Sequence, residues 1–170
     1  ISVLRLLVVS TRPGEWVKNG FLFAALFFSK NLLNGELLLK SFVAFAIYCL
    51  AAGGVYLIND IWDRCQDQKH PEKSTRPIAS GALPVNVAAP AAGFLLIIAL
   101  TVAFFLNLPF GLVTAAYVLI TIVYSKWLKH AVILDVFSIA AGFVLRVVAG
   151  AVVVDVVMSN WLLICTMLLA

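Results

Sequence analysis

Asn59, Asp60, Asp63 and Asp67, in the stretch NDIWDRCQD, put one amide and three carboxylates at the end of a long apolar run. At about 100° per helical residue the four positions fall within an arc of roughly 100° on one helix face, so they converge on one ligand. Carboxylates that close raise each other's pKa and need a cation to offset them. An all-oxygen donor set suits Mg²⁺, which keeps several waters and binds substrate phosphates. Asp60, Asp63 and Asp67 are therefore the expected catalytic carboxylates, and Asn59 joins them as a metal ligand. The bland alternative is a solvated helix end making surface ion pairs with Arg64 and Lys69. The apolar run LAAGGVYLI ahead of the motif argues against it, because a solvated face needs no such anchor.

The basic residues complete that chemistry. Magnesium held by carboxylates usually serves a phosphate or diphosphate, and Arg12, Lys18, Lys73, Arg76, Lys126 and Lys129 are the candidates to neutralise the remaining charge. Metal and basic side chains together stabilise the charge that develops on a departing diphosphate. Some of these residues instead only satisfy membrane topology. Arg146, in GFVLRVVAG, lies well inside an apolar stretch, where an unpaired charge costs at least about 2.5–3.5 kcal/mol. It is expected to contact an anionic substrate or an acidic partner such as Asp135, and Asp135 in turn either ligates substrate or fixes a lysine. Gly53, Gly54, Gly142 and Gly150 read as sites of close helix packing. His70 and His130 read as polar cap residues, and Trp16, Trp62 and Trp127 as anchors at the membrane boundary. Cys49, Cys65 and Cys165 have neither metal nor redox spacing and read as packing residues.

These side chains must be positioned by membrane-spanning helices. The chain is 64% hydrophobic and 12% charged, with a mean hydropathy of +1.08, well beyond soluble domains. Apolar runs long enough to cross a core of about 30 Å lie near 20–34, 37–58, 85–106, 109–125 and 131–154, and a sixth starts at Asn160. The expected fold is an all-α polytopic bundle forming a single domain over 1–170. Because the chain starts at Ile1 and stops within an apolar run, it is expected to be an amino-terminal part of a longer bundle. Arg5, Arg12 and Lys18, then Arg64, Lys69, Lys73 and Arg76, then Lys126 and Lys129 lie on one side, which the positive-inside rule makes cytoplasmic. The net charge of +4 and isoelectric point near 9.1 suit contact with anionic lipids. The protein is thus expected in the cytoplasmic membrane, its acidic motif facing inward, with no cleavable signal at Ile1–Gly20. Two cap loops, about 59–84 and 124–131, carry the dense polar chemistry that marks functional connections.

NDIWDRCQD fits the NDxxDxxxD pattern and resembles the UbiA-type intramembrane prenyltransferases. RPGEWVKN from Arg12, HPEKSTRPIASGALP from His70, and YSKWLK with LDVFSIAAGFVLRVVAG between Tyr124 and Gly150 look like that family's polyprenyl-phosphate phosphoribosyltransferase branch. The resemblance covers nearly the whole chain. It implies a bundle of about nine spans, of which about six are present here, with a second polar motif after the sixth. It implies Mg²⁺-dependent transfer of 5-phosphoribose from phosphoribosyl pyrophosphate to a membrane polyprenyl (decaprenyl) phosphate, releasing pyrophosphate, on the route to a cell-wall precursor. Asn59, Asp60, Asp63 and Asp67 would then hold the donor's diphosphate through the metal, and Lys18, Lys73, Arg76, Tyr124 and Lys129 would bind phosphates or ribose. The lipid phosphate is already anionic at neutral pH, so its attack on the anomeric carbon needs no general base.

Two alternatives stay open. One moves a prenyl group from a prenyl diphosphate to an aromatic or other acceptor with the same metal motif. The other, a cation-coupled transporter, predicts a Gly/Pro-interrupted span at mid-membrane. No nucleic-acid partner is expected. The small-residue face from Gly142 to Gly150 permits helix association within the chain or with a second copy.

Overall fold

The longest helix is built to carry the acidic motif past the membrane boundary. Its 28 residues, Gly35–Trp62, extend about 42 Å against a hydrocarbon core of about 30 Å. Asn34 starts it by accepting backbone N–H groups of Glu36 and Leu37 at 3.1 and 3.3 Å, and a Glu36–Lys40 ion pair supports the first turns. The computed structural model describes residues 2–130, 132–157 and 160–169; among them every regular element is helical. In chain order these are α1 (Val3–Ser10), a 3₁₀ helix (Pro13–Leu22), α2 (Phe23–Phe28), α3 (Gly35–Trp62), α4 (Arg64–Asp67), α5 (Val85–Leu106), α6 (Leu108–Lys126), α7 (Val132–Val153) and α8 (Asn160–Leu169), with single 3₁₀ turns at Lys73–Thr75 and Leu128–His130.

The expected all-α membrane bundle is observed. α3, α5, α6 and α7 are each long and apolar enough to cross a bilayer, and exposed Phe94, Ile97, Phe105, Leu119 and Phe137 give them an apolar outer surface. Water would penalise that surface and lipid does not; this is an integral membrane protein. The first expected span is a correction. Instead of a continuous α-helix over 20–34, the chain runs as a 3₁₀ helix from Pro13 and becomes α-helical only over Phe23–Phe28. Pro13 at its first position and Gly14 and Gly20 within it disfavour a regular α-helix. Apolar Leu22 and Phe23 form the junction between the two helix types.

α3 packs most extensively on α5, and α7 is bounded by α6, the 3₁₀ helix and α2. Buried Leu22, Leu26, Tyr48, Ala99, Phe110, Tyr117 and Ala149 form the main core. The glycines expected at close contacts largely have that role. A Cβ on Gly54 would stand 2.8 Å from Leu96, one on Gly53 3.0 Å from Thr11, and one on Gly150 would collide with the Leu22 backbone carbonyl. Backbone cannot yield as a side-chain tip does. Gly150→Ala is accordingly expected to destabilise the protein by about 1–3 kcal/mol, read as a lowered Tm in detergent; an unchanged Tm would mean that the 3₁₀ helix is not held against α7.

A second cluster, Leu57, Ile78, Leu83, Ala88 and Ala92, pins the loop after the motif onto α3 and α5. Gln68 Nε2 donates to the Ala79 carbonyl at 3.0 Å, and Gly81, at φ +80°, makes the left-handed turn back toward α5. The expected cap over 59–84 is therefore an ordered fold. His70 serves it as expected: Nδ1 accepts the backbone N–H groups of Glu72 and Lys73 at 3.2 and 3.4 Å. The side chain of His130 lies outside the described residues.

Candidate active site

The acidic motif divides into two pairs where sequence spacing suggested one arc. α3 is interrupted at Asp63, which is both the end of α3 and the start of α4, while the Asp63 and Asp67 N–H groups still reach the Asn59 and Asp63 carbonyls at 2.9 and 2.8 Å. Asn59 and Asp63, one turn apart, line a cavity of about 480 Å³. Asp60 and Asp67, both buried, stand behind them and share Arg76, whose Nη1 lies 3.4 Å from Asp60 and 2.7 Å from Asp67. Asp60 also pairs with Arg12. Lys129 Nζ donates to both carboxylate oxygens of Asp63, at 2.5 and 2.6 Å. The carboxylates are thus neutralised from the amino-terminal segment, the cap and the α6–α7 connection, and not by Arg64 or Lys69, as the surface-pair alternative supposed.

Arg12 reaches its place through an unusual backbone. At φ 52° it occupies the left-handed region, which costs a non-glycine residue roughly 1–2 kcal/mol, and Pro13 after it makes the ordinary α region unfavourable. Its guanidinium lies over the Tyr56 ring, 5.0 Å from the centroid. Lys18, Lys73 and Tyr124 line the same cavity as Arg12, Arg76 and Lys129. Lys18 is also paired with Glu15 at 2.5 Å, and its hydrogen bond holds the Glu15 carboxyl below the usual carboxylate range.

Arg146 forms part of the cavity lining and is 7% exposed. Its Nε donates to Asn19 Oδ1 and its Nη2 to the Tyr117 hydroxyl, each at 2.9 Å, and its charge lies 4.9 Å from the Tyr117 ring centre. The alternative that paired it with Asp135 is corrected: among the described residues no carboxylate lies within ion-pair distance of it. Asp135 fixes no lysine either. It faces the Tyr124 side chain and is absent from the cavity lining. Lys126, expected among the phosphate ligands, lies instead over the rings of Trp127 and Trp62, 4.5 and 5.8 Å from their centres. It follows Ser125 on α6, and one residue is enough to turn a helical side chain to another face.

Glu15, Tyr56, Tyr117 and Thr121 line the cavity without having been singled out, and Asn19 stands just behind it on Arg146. A signal for two of them, Tyr117 and Thr121, was available beside Tyr124. Tyr117, Thr121 and Tyr124 recur at helical spacing in an otherwise apolar α6, and a polar stripe on a membrane helix faces protein or cavity. Among the described residues no three His, Cys, Asp or Glu side chains form a metal cage by themselves. The one carboxylate and one amide of the motif that face the cavity nevertheless match a cation that takes most of its shell from water and substrate phosphate. The arrangement can bind a metal–diphosphate within a ring of cations.

Residues 20–170 match the model of the UbiA prenyltransferase family. The decaprenyl-phosphate phosphoribosyltransferase of Mycolicibacterium smegmatis is 35% identical over 161 residues, covering 92% of this chain and 51% of that protein. The chain spans about half the length of the curated relatives it matches. A structure of a UbiA homologue from Archaeoglobus fulgidus bound to DMAPP and Mg²⁺ superimposes with a TM-score of 0.77 at 23% identity, covering 100% of this chain and 60% of that one. Digeranylgeranylglyceryl phosphate synthase gives a TM-score of 0.84 at 22% identity, covering 99% and 60%.

Proposed function

Because the chain belongs to the UbiA prenyltransferase family, we propose that it carries the donor site of a Mg²⁺-dependent transferase that moves 5-phosphoribose from phosphoribosyl pyrophosphate to a membrane polyprenyl phosphate. The observation that carries this reading is the single cavity in which Asn59 and Asp63 face Arg12, Lys18, Lys73, Arg76 and Lys129. The relative at 35% identity, named a decaprenyl-phosphate phosphoribosyltransferase, supports phosphoribosyl transfer to a polyprenyl phosphate.

In the mechanism, the donor's diphosphate enters the cavity mouth from the cytoplasm and takes up positive charge from Lys18, Lys73 and Lys129. Asn59 and Asp63 would hold Mg²⁺, with Asp60 and Asp67 behind them, and the ion would make the diphosphate a better leaving group. Asp60 and Asp67 keep Arg12 and Arg76 aimed at the mouth, since each guanidinium is anchored on a buried carboxylate. Lys129 rests on Asp63 and lines the same cavity, where it would neutralise charge on the departing pyrophosphate. As the bond to pyrophosphate breaks, oxocarbenium character grows at the anomeric carbon and an oxygen of the lipid phosphate forms the new bond. That oxygen is already anionic, so no side chain needs to remove a proton. Tyr124 lines the same cavity and would border the ribose.

Calorimetric titration of the full-length protein with phosphoribosyl pyrophosphate and Mg²⁺ tests the reading. Saturable binding is expected, and Lys73→Met weakens it by about 1.5 kcal/mol, the low end for a charge-assisted hydrogen bond because Lys73 is exposed. Lys126→Met leaves it unchanged. Absence of binding together with turnover of a prenyl diphosphate would replace this function with prenyl transfer.

A further inference from the structure

The cavity is a shaft with charged chemistry at both ends. On α6 its lining runs from Ser125 through Tyr124 and Thr121 to Tyr117, and on α7 from Ser138 through Gly142 to Arg146. Each stretch covers nine residues, or about 12 Å of helix from end to end. Asn59 and Asp63 stand at the mouth and Arg146 at the inner end. Arg146 has no carboxylate partner among the described residues, and its Nε and Nη2 are held by Asn19 and Tyr117. Nη1 donates no hydrogen bond among those residues. Gly142 lies beside it: a Cβ there would only come into van der Waals contact with Nη1, at 3.4 Å. A buried guanidinium with two nitrogens fixed and a third unused is a preorganised seat for an anion.

We infer that the Arg146 end of the shaft binds a phosphate monoester remote from the diphosphate at the mouth, and that this group is the 5-phosphate of the ribosyl donor. The inference rests on the phosphoribosyl reading and deepens it. A ribose with a diphosphate at one end and a phosphate at the other is anionic at both ends, as the shaft is cationic at both. A prenyl diphosphate entering the same mouth would lay an apolar chain against Arg146 and strip that charge of its remaining solvation. The same phosphate chemistry is also carried by the acceptor lipid, and the KM for polyprenyl phosphate distinguishes the two sources.

The test measures binding of phosphoribosyl pyrophosphate, ribose 5-phosphate and Mg²⁺-pyrophosphate to the full-length protein and to Arg146→Gln. The expected result is a loss of at least about tenfold for the two ligands that carry the 5-phosphate, with Mg²⁺-pyrophosphate affinity retained. That retained affinity also reports a folded site. Equal loss of all three ligands would make Arg146 a structural residue and overturn the inference. So would unchanged donor binding with a raised KM for polyprenyl phosphate, which would give the seat to the lipid. If Arg146→Gln does not fold, Tyr117→Phe decides: it frees Nη2, and a severalfold loss confined to ribose 5-phosphate and the donor supports the seat, while no loss overturns it. Wild-type protein that fails to bind phosphoribosyl pyrophosphate at all would sink the broader reading as well, an outcome distinct from donor binding that ignores Arg146.

Discussion

Asp63→Asn is expected to lower turnover by about 10²–10³-fold, the scale seen when one preorganised electrostatic contact is removed from a reacting centre. Asp63 is the one carboxylate of the motif that lines the cavity, so its charge is the one a metal–diphosphate meets directly. The substitution also releases Lys129, which spends two hydrogen bonds on it. Freed, that lysine binds diphosphate without the metal, so the variant should keep substantial pyrophosphate affinity while losing the Mg²⁺ dependence of that affinity. Turnover at saturating Mg²⁺, compared at equal folded protein, checks the prediction. Near wild-type rates would remove Asp63 from the site.

Arg76→Ala should destabilise the fold by about 3 kcal/mol, the low end for breaking a buried pair, since the guanidinium is partly exposed while both carboxylates are buried. Asp60 keeps Arg12, but Asp67 loses its ion partner among the described residues. Arg76→Lys should restore only part of the loss, because one ammonium cannot reproduce the fork that serves two carboxylates. Combining Arg76→Ala with Asp67→Asn should recover stability relative to Arg76→Ala alone, because no charge is then left buried without a partner. Melting of the four proteins in detergent reads all of this. If Arg76→Ala melts with the wild type, the cap is not held by these ion pairs and Ile78 and Leu83 alone secure it.

Much of the architecture was legible because the membrane makes it so. A hydrocarbon core allows few ways to satisfy backbone polar groups, so apolar runs of sufficient length over 37–58, 85–106, 109–125 and 131–154 had to be helices, and four spanning helices are found. The run at 20–34 misled for the same reason. Its length and apolarity suited a span, but the helix type over Pro13–Leu22 answers to Pro13, to the glycines, and to the contact of Leu22 with Gly150 from the far side of the bundle.

Within the site, the sequence by itself determined the inventory: oxygen donors in NDIWDRCQD, the cations near them, and one arginine buried in an apolar helix. Residue type sets charge and donor chemistry wherever the chain goes. The tertiary structure decided the pairing. Asp60 and Asp67 turn to Arg12 and Arg76, Asp63 meets a lysine 66 positions away, and Arg146 finds Asn19 at a separation of 127. Lys126 and Lys129 are alike in type and three residues apart, yet one lies over tryptophans and the other on the motif. The direction of a side chain depends on where its helix ends and what packs opposite, and both are properties of the assembled bundle, absent from the local sequence.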